Sequence, residues 1–193
     1  LASLVWVPIG VWIGFRPGLA QKAQPFILFL SAFPANLLFP LVVSLIATYH
    51  LNPEIWVSPL MILGTQWYIL FNVIAGASSI PGDMREAAAN LGLKGWLLWK
   101  RLILPAVFPA YVTGGLTASG GAWNASVVSE VVSWGATTLS ASGIGAYIAE
   151  QTKAGDHPRV ALGIAVMSLY VILLNKFLWN RLYRFAEERL ALD

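Results

Sequence analysis

Three runs of this chain carry no Asp, Glu, Lys or Arg: Pro25 to Tyr49, Ile55 to Gly82 and Leu102 to Ser129. Each is long enough to cross a hydrocarbon core, which demands roughly 20 helical residues. Val160 to Asn180 forms a fourth run, interrupted only by Lys176 near its end, where the stem can carry the charge to the headgroups. Leu1 to Phe15 is apolar but short. It is preceded by neither an initiator Met nor a charged leader, and reads as the end of a spanning helix cut by a fragment boundary, with sequence missing upstream.

Composition agrees with the bilayer as solvent. The chain is 58% hydrophobic and 11% charged, with a mean hydropathy of +0.69, whereas a soluble domain is about one quarter charged. The absence of cysteine excludes a disulfide framework and thiolate metal sites. A net charge of +3 and a pI near 9.3 would suit nucleic acid, but topology explains them better. With crossings at 1–15, 25–49, 55–79, 102–122 and 160–180, Arg16, Lys22, Arg85, Lys94, Lys100, Arg101, Lys176, Arg181, Arg184 and Arg189 share one side. Only Lys153 and Arg159 fall on the other, so the positive-inside rule puts the segment around residue 86 and the carboxyl terminus in the cytoplasm. Trp56 on the outer side, and Trp96, Trp99, Trp179 and Tyr183 on the inner side, suit interfacial belts or core packing.

No internal repeat, heptad or low-complexity tract is visible, so residues 1–193 read as one helical membrane domain. Arg16 to Gln24 is the expected first inner turn and His50 to Glu54 the first outer one. Pro34 and Pro40 should kink the second span, either for packing or to line a pathway. Val131 to Ala149 is uncharged but rich in Gly, Ser and Thr, and reads as re-entrant or as an outer-surface helix. Small residues four apart, Gly114 with Ala118 and Thr117 with Gly121, predict close helix packing, with a face lining a solute route as the other reading.

Between the spans, Pro81 to Gly92 reads as a short polar-edged helix. Asp83 should cap it while Glu86 reaches back to the cap's amide, and Gly92 supplies the stop. At about 100° per residue, Met84, Ala87, Ala88 and Leu91 form one stripe, which must be buried in a partner's groove or against the chain's own loops. The order Glu86-Ala87-Ala88, then Gly92, then Leu102-Ile103-Leu104-Pro105 resembles the cytoplasmic signature of bacterial ABC importer permeases, with Leu102 standing where the pattern usually has isoleucine. Ala122-Trp123 followed by Ser129-Glu130 is similar to the nitrate, sulfonate and taurine branch.

That resemblance implies an all-α polytopic bundle of the type I permease fold, with about five spans in this chain and a coupling helix at 83–92. It further implies a bacterial inner-membrane location and two ATPase subunits that bind and hydrolyse the ATP. A second permease domain, identical or in a longer polypeptide, and an outer solute-binding protein complete the implied assembly. Met84, Glu86, Ala87, Ala88, Leu91 and Gly92 would then form the ATPase-coupling element. The chain has no phosphate-cradling Gly-x-x-x-x-Gly-Lys-Ser/Thr loop, so no cofactor is expected on it. Polar residues available to a solute path are Asn36, Gln66, Asn72, Thr113, Thr117, Trp123, Asn124 and Glu130, with Trp123, Asn124, Thr117, Asn72 and Glu130 the leading candidates and Glu130 alternatively a gate, a partner surface or half of an ion pair.

Two other functions compete. A secondary transporter or channel would need no ATPase, but the spans lack an embedded carboxylate or lysine relay. An intramembrane hydrolase would use Ser142 with His157 or His50 as base. Asp156-His157 could suggest a metal pair, but without further ligands an outer loop is the expectation.

Overall fold

Helices dominate the computed structural model, which describes residues 1–190. In chain order the elements are α1 (Ala2–Gly14), α2 (Pro17–Ala32), a 3-10 turn (Ala35–Leu38), α3 (Phe39–Thr48), α4 (Pro53–Trp56), α5 (Ser58–Ser78), α6 (Gly82–Asn90) and α7 (Gly95–Leu98). A π-helical segment (Trp99–Ile103) leads into α8 (Leu104–Ser129), β1 (Val131–Trp134) and β2 (Thr137–Ser140) follow, then α9 (Ile144–Ala154) and α10 (His157–Leu174). A second π-helical segment (Asn175–Trp179) ends in α11 (Asn180–Leu190). Among these residues, three continuous helices are long and apolar enough to cross a bilayer: Pro53–Ser78, Gly95–Ser129 and His157–Leu190. The bent pair α2 and α3 would supply a fourth crossing as a broken span, and α1 is a shorter apolar helix of 13 residues.

Local chemistry explains where these elements depart from the sequence expectations. The first connection is shorter than the Arg16 to Gln24 expected, because Pro17 opens α2 and a proline costs nothing at a helix start whose N–H has no intrahelical partner. The second apolar stretch breaks outright at Phe33-Pro34, whereas Pro40 sits harmlessly in the first turn of α3. Val131 to Ala149 is neither re-entrant nor wholly helical. Its first half is an antiparallel hairpin pairing Val131 with Ser140 and Trp134 with Thr137, and only its second half enters α9. β-branched Val131, Val132, Thr137 and Thr138 favour the strands. Gly135, at φ +59°, takes the first corner of a two-residue turn, where a side chain would be strained.

The chain forms two compact units. The first comprises Leu1–Ala32, Gln66–Ala118 and the described residues from Lys176 onward. Val11, Ile69, Val73, Ala77, Ile103 and Val107 are central to its core. Glycines let the backbones approach: a Cβ on Gly10 would stand 2.7 Å from Val73 Cγ1, and one on Gly14 2.7 Å from both Ala77 Cβ and Ile74 O. Gly10 and Gly14 are four apart on α1, the spacing that lets one helix lie against another with little in between. On α8, Gly114 meets Tyr68 O at 2.7 Å and Gly115 lies under the Trp179 ring. The packing reading of the α8 glycines therefore holds at Gly114, while Trp179 fills a packing role rather than standing free at the interface.

The second unit comprises Phe33–Thr65 and Ser119–Asn175. Val43, Ile46, Val57 and Leu60 of its helical part bury Val132 of the hairpin and Ala141 beyond it. Along α10, Leu162, Ile164, Leu169, Tyr170 and Ile172 are all at least half exposed. So many large apolar side chains on one helix are untenable in water and ordinary in lipid or against another subunit. The chain is a multi-pass membrane protein.

Candidate functional site

α6 stands at the end of α5, joined by Ser79–Pro81, and its residues divide sharply by exposure. Met84 is 39% exposed and Leu91 77%, and Glu86 and Ala87 are also exposed; Ala88 is 4% exposed. Met84, Ala87 and Leu91 thus present an apolar strip with Glu86 nearby, while Ala88, expected on the same strip, is turned inward and seats the helix on its own unit. Asp83 is not the cap. The helix begins at Gly82 with Pro81 in the capping position, and no side chain accepts a bond from its first turn. Proline has no N–H, so the reciprocal arrangement expected for Glu86 has no amide to receive. Asp83 lies in the first turn, where its charge still suits the positive end of the helix dipole.

The stop at Gly92 is as expected and its geometry is complete. Gly92 adopts φ +68°, its N–H donates to Ala89 O at 3.0 Å, and Leu93 N–H donates to Ala88 O at 2.9 Å. These two bonds are the Schellman pattern, which satisfies carbonyls that a helix end otherwise leaves open.

Sequence reasoning passed over Arg85, whose side chain ties the start of α6 back to the end of α5. Its Nη2 donates to Ile80 O at 3.0 Å and, more weakly, to Ala77 O at 3.4 Å, and its guanidinium lies 4.8 Å from the centre of the Phe15 ring. A signal existed: a cation near the start of a helix opposes that helix's own dipole, so Arg85 is better placed to serve the carbonyl end of the preceding one.

In the second unit, Trp123 and Glu130 line one cavity of 410 Å³ together with Met61, Ser126, Ile144 and Met167. Ser126 donates its hydroxyl to Trp123 O and is occupied within its own helix. Glu130 accepts from Ala146 N–H at 2.8 Å through Oε2, and its main-chain carbonyl accepts from Ala141 N–H at 2.8 Å. The carboxylate therefore caps α9, whose capping position is held by Gly143 with no side chain to do so. Among the described residues Glu130 forms no ion pair, and a helix cap replaces that expectation. Asn124 is exposed and does not line the cavity.

Of the remaining path candidates, Asn36 lies in the 3-10 turn of the second unit, and Gln66, Asn72, Thr113 and Thr117 lie in the first unit and serve helices. Asn72 donates to Tyr68 O, Thr117 to Thr113 O and Thr113 to Pro109 O; Gln66 accepts from the Trp6 indole at 2.8 Å. Ser142 donates its hydroxyl to Glu54 Oε1 at 2.8 Å and its N–H to both Glu54 oxygens, so a carboxylate rather than a histidine holds it. Asp156 caps α10 by accepting from Arg159 N–H and pairs with the Arg159 side chain at 3.4 Å, which gives it a helix-end role.

A short exposed helix with a glycine stop, between apolar helices of spanning length, is the arrangement the Glu-Ala-Ala signature anticipates, and the chain's relatives agree. It is 28% identical over 176 residues to the nitrate import permease protein NrtB of Leptolyngbya laminosa, covering 91% of this chain and 59% of that protein. It is 25% identical over 178 residues to the bicarbonate transport system permease protein CmpB of Synechococcus elongatus, covering 92% of this chain and 60% of the relative. The chain thus spans about three fifths of the length of these proteins. Residues 7–191 match one family throughout, and the chain belongs to it: the binding-protein-dependent transport system inner membrane components, the type I permeases of ABC importers.

Proposed function

We propose that this chain is the membrane-spanning part of an ATP-binding-cassette importer in the bacterial inner membrane, with α6 and the carboxyl-terminal side facing the cytoplasm. It binds no cofactor itself; separate ATPase subunits hydrolyse ATP and grip α6. A second permease domain completes the path, and an outer binding protein delivers the solute. The exposed strip of Met84, Ala87 and Leu91 carries this reading. A helix this short gains little by projecting apolar side chains unless a partner's groove receives them. Glu86, exposed beside the strip, adds a charge for which the groove would offer a cation or N–H groups.

The relatives are named for nitrate import and bicarbonate transport, and a small inorganic anion of that kind is the solute this reading assigns. The Trp123 cavity offers such an anion no cation, and its carboxylate is already held by Ala146 N–H. Selection of the solute therefore falls to the outer binding protein, and the permease supplies passage. Closure of the ATPase subunits would drive α6, and the two permease halves would alternate between inward- and outward-open states.

Leu91→Asp tests the docking strip, because it would bury an unpaired carboxylate in any apolar groove. Retention of the ATPase subunit by the tagged permease should fall at least about tenfold, as for the loss of an interface anchor, with membrane insertion unchanged. Full retention by Leu91→Asp and by Met84→Asp would remove α6 as the docking element.

A further inference from the structure

We propose that Arg85 is a positioning residue that stiffens the turn between α5 and α6, so that displacement of α6 moves α5 instead of flexing Ser79–Pro81. The proposal rests on the importer reading for its consequence and on geometry for its substance. In a continuing helix, Ala77 O would accept from the N–H four residues on, but that residue is Pro81, which has none. Ala77 and Ile80 are 0% and 2% exposed, so water is poorly placed to satisfy either carbonyl. Arg85 Nη2 reaches back across the turn to both. A positive group at the carbonyl end of α5 also sits at the favourable pole of that helix's dipole.

The same side chain gathers a third helix. Its guanidinium lies over Phe15, directly after α1, and Ser78 donates its hydroxyl to Gly14 O at 3.1 Å. Nη2 alone makes both carbonyl contacts while the guanidinium lies over the ring, and a planar cation that stacks on an aromatic face as it donates is a task that Arg performs and Lys performs poorly. Three residues of turn would otherwise form a hinge; bridged by Arg85, they form an elbow tied to α1 and α5. Among the described residues, the buried Arg85 Nε has no hydrogen-bond partner. The clamp is thus incompletely satisfied in this arrangement, which leaves a donor for an acceptor brought within reach when α6 moves.

The test uses the whole transporter, with Arg85→Met keeping the apolar stem and Arg85→Lys keeping the charge. In proteoliposomes with ATPase subunits and binding protein, Arg85→Met should retain the ATPase subunit and its basal hydrolysis. Solute moved per ATP should fall about tenfold, the factor equivalent to losing one charge-assisted hydrogen bond. Arg85→Lys should fall between the two. Transport per ATP equal to that of the unmodified protein, or hydrolysis and transport declining in parallel, overturns the proposal. Failure of the unmodified chain to retain any ATPase subunit would instead sink the importer reading.

A second measurement stands independently of that reading. The chain has no cysteine, so spin labels at Ala75→Cys on α5 and Asn90→Cys on α6 report this joint alone in lipid nanodiscs. Arg85→Met should broaden the distance distribution, and Arg85→Lys should narrow it again in part. An unchanged width means that Arg85 does not stiffen the turn.

Discussion

Arg85 and Glu130 perform opposite versions of one task. Arg85 brings a positive charge from α6 to the carbonyl end of α5, and Glu130 brings a negative charge from the end of α8 to the amide end of α9. Each sits at the pole of a helix dipole that suits its sign. They differ in how tightly they are held. Arg85 keeps a buried Nε without a partner among the described residues and serves a helix whose outer face is open. Glu130 is half-buried but more closely surrounded: its main-chain carbonyl is also bonded, and Gly143 lies so close that an added Cβ would collide with the carboxylate. The comparison separates a joint with capacity to move from a joint built to stay shut.

The Arg85 joint can work only if α1 and α5 behave as a single body, and that is where the largest effect is expected. Gly14→Leu forces a side chain against Ile74 O and Ala77 Cβ, where backbone must yield. Overpacking of this kind costs about 1–3 kcal/mol, and contact with backbone argues for the upper end. Thermal unfolding in detergent should register the loss, and solute transport should fail. Near-native stability for Gly14→Leu would mean that α1 is not anchored to α5 by close approach, and the elbow would lose its footing.

The closed joint should yield a smaller effect that belongs to a pair of residues. Gly143 has extended backbone at φ −176°, which any residue adopts, so Gly143→Ala acts only by displacing the Glu130 carboxylate. Losing a helix cap costs about 0.5–2 kcal/mol. Glu130→Ala should cost a similar amount, and the double variant should be little worse than either alone, since both remove the same contact. Full additivity in thermal unfolding would show that the two residues act separately. Solute per ATP should hold in both single variants if Glu130 is a cap and not a gate.

The global features were legible because they depend on composition summed over long runs. Charge-free stretches gave the spans, and the Glu86-Ala87-Ala88 to Gly92 spacing located α6 and its stop. Side-chain partners depend on which distant helix end lies near, and no local pattern carries that. Glu130 therefore read as half an ion pair when it caps α9, and Ala88 read as part of the docking strip when it is turned inward. The hairpin at Val131–Ser140 was missed because absence of charge was weighed above β-branched pairs flanking Gly135. Arg85 could have been inferred from Pro81, which deprives Ala77 O of its donor, but only by asking where each backbone group near a proline finds its partner.

The smallest effect is expected where a second carboxylate serves the same loop as Glu130. Glu54 holds Ser142 through the main-chain N–H and through the hydroxyl. Ser142→Ala removes the hydroxyl bond and leaves the two N–H contacts, in an exposed setting where water replaces what is lost. The cost should be no more than about 1 kcal/mol, well below that of Gly143→Ala if closer packing is what separates the two carboxylate sites. Transport should be unchanged, because a Ser tethered to a carboxylate at a loop has a fastening role. Loss of a hydrolytic activity in this variant would instead make Ser142 a nucleophile and Glu54 its partner. Equal losses from Ser142→Ala and Gly143→Ala would show that closer packing around the carboxylate adds nothing, and the contrast between open and closed joints would fail at its own control.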